Sequence, residues 1–340
     1  MPTLPPSRKI VEYHGVDAAT FRRDILPAAR PAVLRGLARH WTAVQAALES
    51  PAALAEHLKS FDPGRPVRAV VAPPEAEGRF FYNADLSGLN FEPRMTTVSQ
   101  ALDLLLRHAE TDRPPALALQ SIPEPDALPG FSQANPNPLL GSEVAPRLWI
   151  GNAVTVHTHH DMNDNLAIVA GGRRRFTLFP PKQTRNLYIG PFERTPAGPP
   201  VSMVSIAAPD LERHPRFVEA WAESETAELE PGDAIFIPYM WWHHVQSLDR
   251  LSVLVNYWWN PAPADMRPLE ALIHAMTMVR DLPPSQRSVW REMFDAFVFQ
   301  PGDVPGGHLP PALRGVQGAT SAETRAEVRA ILARNLSNGA

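Results

Sequence analysis

Apolar residues change their spacing twice along this chain. Up to about residue 140, helical and extended patterns alternate. Asp17 is placed to cap a helix carrying Phe21, Ile25 and Leu26, and Thr97 with Gln100 forms a capping box ahead of Ala101, Leu102, Leu105 and Leu106. Between them, Gly78 opens a short strand, Phe80-Phe81-Tyr82. The middle of the chain is strand-like: Leu148-Trp149-Ile150, Val154 to His159, Leu166 to Val169, Phe176 to Phe179, Ala234 to Ile237 and Leu251 to Trp258, separated by Gly and Pro turns. Short strands at such spacing predict a mainly β fold, a double-stranded β-helix of jelly-roll type with flanking helices. From Pro261 the period becomes helical. Leu269, Leu272, Ile273, Met276 and Val279 form one stripe, and Val289, Trp290, Met293, Phe294, Phe297 and Val298 a broader one. A Pro/Gly-rich stretch, 301–318, precedes a last helix capped by Thr320 and Glu323, with Val328, Ile331, Leu332 and Leu336 on one side. The expected organisation is an α/β segment over 1–140 that packs on and extends the barrel, a barrel core over 141–260, and C-terminal helices over 261–340.

Composition narrows the function. At 340 residues two domains are the ordinary expectation, although barrel folds often run longer as one unit. A net charge of −4 lacks the basic footprint that duplex binding needs, so nucleic acid is not the expected partner. The absence of cysteine excludes disulfides and thiolate metal sites and leaves histidine and carboxylates as the strong metal ligands. The first nine residues lack an apolar core of signal-peptide type, and no apolar run approaches the roughly 18 residues of a membrane span. A soluble, cytoplasmic protein is therefore expected. Lysine occurs only at Lys9, Lys59 and Lys182, so nearly every basic side chain is arginine.

Two separated segments have the makings of one metal site. In Thr155-Val156-His157-Thr158-His159-His160-Asp161, residues two apart on a strand share a face at about 6.6 Å, a gap an imidazole and a carboxylate can close onto one ion. His159 with Asp161 meets this condition, but so does His157 with His159, and spacing alone does not choose among the histidines. The second segment is a Pro231-Gly232-Asp233 turn, a short apolar strand and Pro238, leading to His243 and His244. Those two point to opposite faces if extended, so only one of them ligates. Two half-sites together favour His159, Asp161 and His243, and leave His157, His160 and His244 as hydrogen-bonded core or surface residues. A face of two histidines and one carboxylate leaves metal positions open for a co-substrate and oxygen, as in non-haem Fe(II) oxygenases.

The ordered set from His159-His160-Asp161 through Asn165-Leu166, Gly172-Arg173-Arg174-Arg175-Phe176, Pro231-Gly232-Asp233, Trp241-Trp242-His243-His244-Val245 and Val255-Asn256-Tyr257-Trp258-Trp259 resembles the cupin-like branch of the JmjC family. Within it, the chain is similar to the asparaginyl hydroxylase acting on hypoxia-inducible factor. The similarity is strongest from about Arg147 to Asn260, and Ala32 to Leu37 resembles the family's early strand. The resemblance implies His159, Asp161 and His243 as Fe(II) ligands, 2-oxoglutarate as co-substrate, and Asn165 and Asn256 close to it. It also implies Arg174 at the place where relatives use a lysine for the distal carboxylate, while Arg173 and Arg175 read as solvated charges alternating out of the strand. Arginine keeps the charge and offers a bidentate fork. Two positions depart from the pattern: Ala118 stands where relatives often carry a tyrosine two residues before a glutamine such as Gln120, and Val156 where a threonine can assist. Gln120, Trp241 and Trp258 are expected along the substrate approach, whose selectivity rests on loops 85–94 and 186–215. The expected activity is that of a 2-oxoglutarate/Fe(II) hydroxylase of a protein side chain or small molecule. The alternatives are a metal-binding cupin acting as a sensor or binding module, and a cupin enzyme of another reaction class. By analogy with the family's dimerising helices, and from their own surplus of apolar surface, the C-terminal helices are expected to form a homodimer.

Overall fold

In the computed structural model, residues 4–196, 198–299 and 305–338 are described. Met1 to Thr3, Ala197 of the second selectivity loop and residues 301–304 of the Pro/Gly-rich stretch lie outside them. The chain divides into two compact units, Met1–Asn260 and Pro261–Ala340.

The first unit holds fifteen described strands: β1 (Arg8–Lys9), β2 (Val11–His14), β3 (Ala32–Arg35), β4 (Val67–Ala72), β5 (Arg79–Phe80), β6 (Glu92–Thr96), β7 (Ala116–Pro123), β8 (Pro146–Gly151), β9 (Thr155–His159), β10 (Asp164–Gly171), β11 (Arg174–Phe179), β12 (Glu225–Leu229), β13 (Ala234–Ile237), β14 (Trp242–Ser247) and β15 (Ser252–Trp259). They form a six-stranded sheet in the order β1-β12-β11-β14-β9-β5, and a nine-stranded sheet in the order β2-β3-β13-β10-β15-β8-β7-β4-β6. The fold is a jelly-roll barrel, mainly β, with helices on the outside. Between the sheets lies an apolar interior that includes Phe176, Leu178, Ile235, Ile237, Val245 and Leu254. A larger core lies on the other face of the nine-stranded sheet, where helices Thr42–Glu49, Pro51–Lys59 and Val98–His108 pack. Trp41 is wholly buried there, and its indole N–H donates to the Pro136 carbonyl at 2.8 Å, which removes the cost of burying that donor.

Local signals explain the elements around the barrel. Asp17 accepts from the Thr20 N–H at 2.7 Å, and the helix it starts continues as a single wider turn over Phe21–Ile25 that buries Phe21 and Ile25. Thr97 and Gln100 form the expected capping box. The strand expected over Phe80 to Tyr82 is shorter and earlier, Arg79–Phe80, with Tyr82 in an isolated bridge to Leu89. Gly172 links β10 to β11 at φ +66°, where a Cβ would lie 2.4 Å from the Leu251 carbonyl, so no other residue fits this corner unstrained. Asp233 fixes the turn before β13: its carboxylate accepts from the Arg35 guanidinium at 2.6 Å and from the Gly36 and Glu230 N–H groups at 2.8 and 3.1 Å.

The second unit contains helices Pro268–Met278, Pro284–Phe294 and Ala322–Asn338. The last is capped by Ser321, whose hydroxyl accepts from the Thr324 N–H, rather than by Thr320, whose carbonyl accepts from Arg325. No helix of the described residues is long and apolar enough to cross a membrane.

Candidate metal centre

β9 and β14 pair antiparallel, with His159 opposite His243, so residues 84 positions apart in sequence meet across one ladder. An extra residue in β9 breaks the register between this pair and the Val245–Val156 pair. Such a bulge turns the side chains beyond it to the other face. Val156 and His159 therefore both face the barrel interior, and His157 does not, although it lies two residues from His159. His157 stacks on Phe81 at 3.9 Å between ring centroids and faces His244. His160 packs edge-on against Trp242. The spacing argument thus fails for His157 and His159, because a regular strand was its premise.

Asp161 is not on the strand, as the two-residue spacing supposed, but in the turn beyond it. That turn is tied to the approach to β14: Met240, at φ +62°, donates its N–H to the Asp161 carbonyl at 3.1 Å, and the Tyr239 N–H donates to Asp164 Oδ1 at 2.9 Å. A non-glycine residue in this region of backbone space is strained, and such strain is often held where a site needs a fixed geometry. Ligand atoms of His159, Asp161 and His243 lie within 4.8 Å of one another, the one such group of three among the described residues. His159 Nδ1 lies 2.8 Å from the His157 carbonyl, and His243 Nδ1 3.0 Å from the Trp241 carbonyl. Both Nδ1 atoms are thereby donors, and each Nε2 keeps a lone pair for a metal. Burial, then the neighbouring His243, push the His159 pKa well below the ordinary histidine value, so the ring is neutral at pH 7. The donor set fits a divalent metal that accepts nitrogen and oxygen ligands.

A hydrogen-bonded chain supports the carboxylate. Trp258 Nε1 donates to Asp161 Oδ2 at 3.1 Å, and Asn165 Nδ2 reaches the same oxygen at 3.4 Å. Asn256 Nδ2 reaches Asn165 Oδ1 at 3.5 Å, and Trp149 Nε1 donates to Asn256 Oδ1 at 2.8 Å. Arg174 enters the same pocket from β11, while its neighbours turn outward: Arg173 pairs with Asp249 and Arg175 with Glu228. Its Nε donates to Ser252 Oγ at 2.9 Å, and Nη2 reaches the Trp149 carbonyl at 3.4 Å. No carboxylate of the described residues pairs with it, and burial lowers its pKa to about 9.

The structure gathers His159, Asp161, His243, Asn165, Asn256, Arg174 and Trp258 around one pocket. Trp241 is placed in the apolar barrel interior, and its backbone carbonyl, not its ring, serves the site. Gln120 lines a separate cleft of about 720 Å³, to which Leu89, Phe91, Thr195 and Gly198 of the two selectivity loops contribute; Trp149 lines both the cleft and the metal pocket. Trp149 and Ser252 were not anticipated. The alternation Leu148-Trp149-Ile150, with both leucine and isoleucine packed in the outer core, places Trp149 on the inner face. Ser252 carries no comparable signal.

A jelly-roll barrel with two histidines and one carboxylate on an inner face defines a class of metal-binding cupin proteins. The chain belongs to the cupin-like domain family, whose description matches residues 18–265. It is 38% identical over 116 residues to HSPB1-associated protein 1 of Rattus norvegicus, a match that takes in 33% of this chain but only 23% of that protein. It is 27% identical over 267 residues to lysine-specific demethylase 8 of Danio rerio, covering 76% of this chain and 60% of that relative. Similarity to tRNA wybutosine-synthesizing protein 5 of Danio rerio runs to 26% over 309 residues, covering 82% and 88% of the two chains.

Proposed function

We propose that the protein is an Fe(II)- and 2-oxoglutarate-dependent oxygenase that hydroxylates a protein side chain or a small molecule. The observation that carries this reading is Arg174, a buried guanidinium without a carboxylate partner among the described residues, lining the pocket that holds the triad. A buried cation of this kind is costly unless a ligand pairs with it, and a dicarboxylate held at its other end by a metal is such a ligand. His159, Asp161 and His243 would hold Fe(II), which with 2-oxoglutarate and dioxygen would supply an oxidant for a C–H bond, one oxygen atom ending in the new hydroxyl and the other in succinate as carbon dioxide is released. Trp258 and Asn165 hold the Asp161 carboxylate in orientation, and the apolar walls, Val156, Phe176 and Leu254, exclude water. The pocket is narrow, about 40 Å³, so entry of the co-substrate requires movement of a lining side chain, for which Trp149, at the boundary with the 720 Å³ cleft, is best placed. Prime substrate would lie in that cleft beside Gln120.

The narrow pocket, with Val156 on its wall, favours a second reading, a metal-binding cupin without oxygenase activity. Anaerobic titration of the Fe(II)-loaded protein with 2-oxoglutarate separates the two. The oxygenase gives a metal-to-ligand charge-transfer band, lost in His159→Ala and weakened in Arg174→Ala; metal binding without a band leaves the second reading. The relative named a lysine-specific demethylase supports a protein substrate. The tRNA-modifying relative raises a nucleic acid instead, against which the net charge of −4 argues.

A homodimer through the second unit completes the proposal. Helices Pro268–Met278 and Pro284–Phe294 bury no residue, and Leu272, Ile273, Val289, Trp290, Phe297 and Val298 are exposed. A short helical unit without a core of its own needs a partner surface, and a second copy carries the complementary apolar face.

A further inference from the structure

We propose that the cavity between the 124–146 segment and β15 is a second binding site, which takes an organic cation: a primary ammonium or guanidinium group on a short aliphatic stem. The cavity has a volume of about 520 Å³ and shares no lining residue with the metal pocket. Strand alternation explains the separation, since Tyr257 lies on the face of β15 opposite to Asn256 and Trp258.

Its polar floor is unusual. Glu124 and Tyr257 are each only 3% exposed, yet both line the cavity. One Glu124 oxygen, Oε1, accepts from the Ser132 N–H at 3.0 Å and from the Ser132 hydroxyl at 3.2 Å. The other oxygen and the Tyr257 hydroxyl have no hydrogen-bond partner among the described residues, and no basic side chain there pairs with the carboxylate. The Glu124 side chain is largely withdrawn from water but its second oxygen is not sealed off, and without a counter-ion in the protein such a carboxylate favours a cation that can reach it. Glu124 lines the cavity, and a counter-ion entering that space can approach it. Burial, and then the charge of Glu124, raise the Tyr257 pKa, so the phenol stays neutral beside the carboxylate and offers a hydroxyl acceptor and a ring face.

The remaining walls select the type of cation. Pro125, Pro129, Pro136 and Pro146 supply rigid apolar surface suited to a methylene stem. A bare metal ion would find one carboxylate and one phenol, fewer strong ligands than it needs, and no second cluster of three ligating residues exists among the described ones. The cation can be a free amine or the side chain of a lysine or arginine on another protein.

Calorimetric titration of the full-length protein with n-butylammonium, n-butylguanidinium and a doubly blocked lysine tests this, with n-butanol as the neutral control. Saturable binding of the cations and none of butanol is expected. Glu124→Gln keeps an acceptor for Ser132 and should weaken the cations by about tenfold or more, and Tyr257→Phe by a smaller factor. His159→Ala should bind them as the parent does, which keeps this result separate from the metal site. Tighter binding of blocked lysine than of butylammonium assigns the cation to a partner protein, and the reverse to a free amine. Should Glu124→Gln fail to fold, Tyr257→Phe and a cation-dependent shift of the Ser132 amide resonance decide. Equal binding of butanol, unchanged affinity in a folded Glu124→Gln, or no saturable binding of any cation overturns the proposal.

Discussion

Replacing Arg174 by methionine sets stability against ligand binding. Burial lowers the guanidinium pKa from 12.5 to about 9. At 1.36 kcal/mol per unit, that difference is a penalty of about 5 kcal/mol on the charged form, as an order of magnitude. Hydrogen bonds to Ser252 Oγ and the Trp149 carbonyl offset part of it, but no carboxylate of the protein does. Methionine fills similar length without charge. In the metal-free protein Arg174→Met is therefore expected to be at least as stable as the parent, by about 1–4 kcal/mol. Affinity for 2-oxoglutarate should move the other way. Hydrogen bonds to a charged partner contribute about 1.5–3 kcal/mol each, so losing a two-pronged contact raises Kd about a hundredfold or more. Arg174→Lys keeps the charge but not the fork, and should fall between. Urea unfolding of the metal-free proteins and anaerobic charge-transfer titration of the Fe(II) forms measure the two effects. A variant destabilised by more than about 2 kcal/mol that binds 2-oxoglutarate as the parent does would show Arg174 to be a structural residue, and the co-substrate assignment would fall with it.

Removing one ligand by His243→Ala should weaken Mn(II) or Fe(II) binding by at least about a hundredfold in calorimetry while the barrel stays folded by circular dichroism. Gly172→Ala places a methyl group against the Leu251 carbonyl at a positive φ and should lower stability by about 2 kcal/mol or more in urea unfolding, with metal affinity changed only through loss of fold. Burial pushes the pKa of His157 from 6.5 to about 4 and that of His244 to about 3. The unfolded chain takes up these protons below pH 6.5 and the folded chain does not until about pH 4, so stability of the metal-free protein is expected to fall as pH drops from 6.5 to 4, by about 3 kcal/mol per histidine. Urea unfolding at stepped pH checks the slope, which His157→Gln should reduce. Trp290→Asp puts a charge in the exposed apolar face of the second unit and should convert a dimer to monomer in sedimentation; a parent protein that is already monomeric removes the dimer proposal.

What the chain reveals before folding depends on how far each feature reaches. Strands β8, β9, β10, β11, β13 and β15 are legible because their apolar runs and bounding turns are local. β12 is not, since Glu-Thr-Ala-Glu-Leu reads as helix-forming; it becomes a strand by pairing with β11 and with β1, and Glu225 is buried there against Arg30. β7 escapes for a similar reason, its alanine-rich run being made a strand by β4 and β8 on either side. The same division runs through the site. Arg174 is picked out by the family resemblance; alternation within one strand sets it apart from Arg173 and Arg175 but does not say which face turns inward. The choice between His157 and His159 needs the partner strand, because the bulge that turns His157 away exists only in the register of β9 against β14. An inference from spacing is therefore as good as the regularity of the strand it assumes. Strands beside a metal site are where that assumption is weakest, because bulges there aim ligands that an unbroken ladder would misplace.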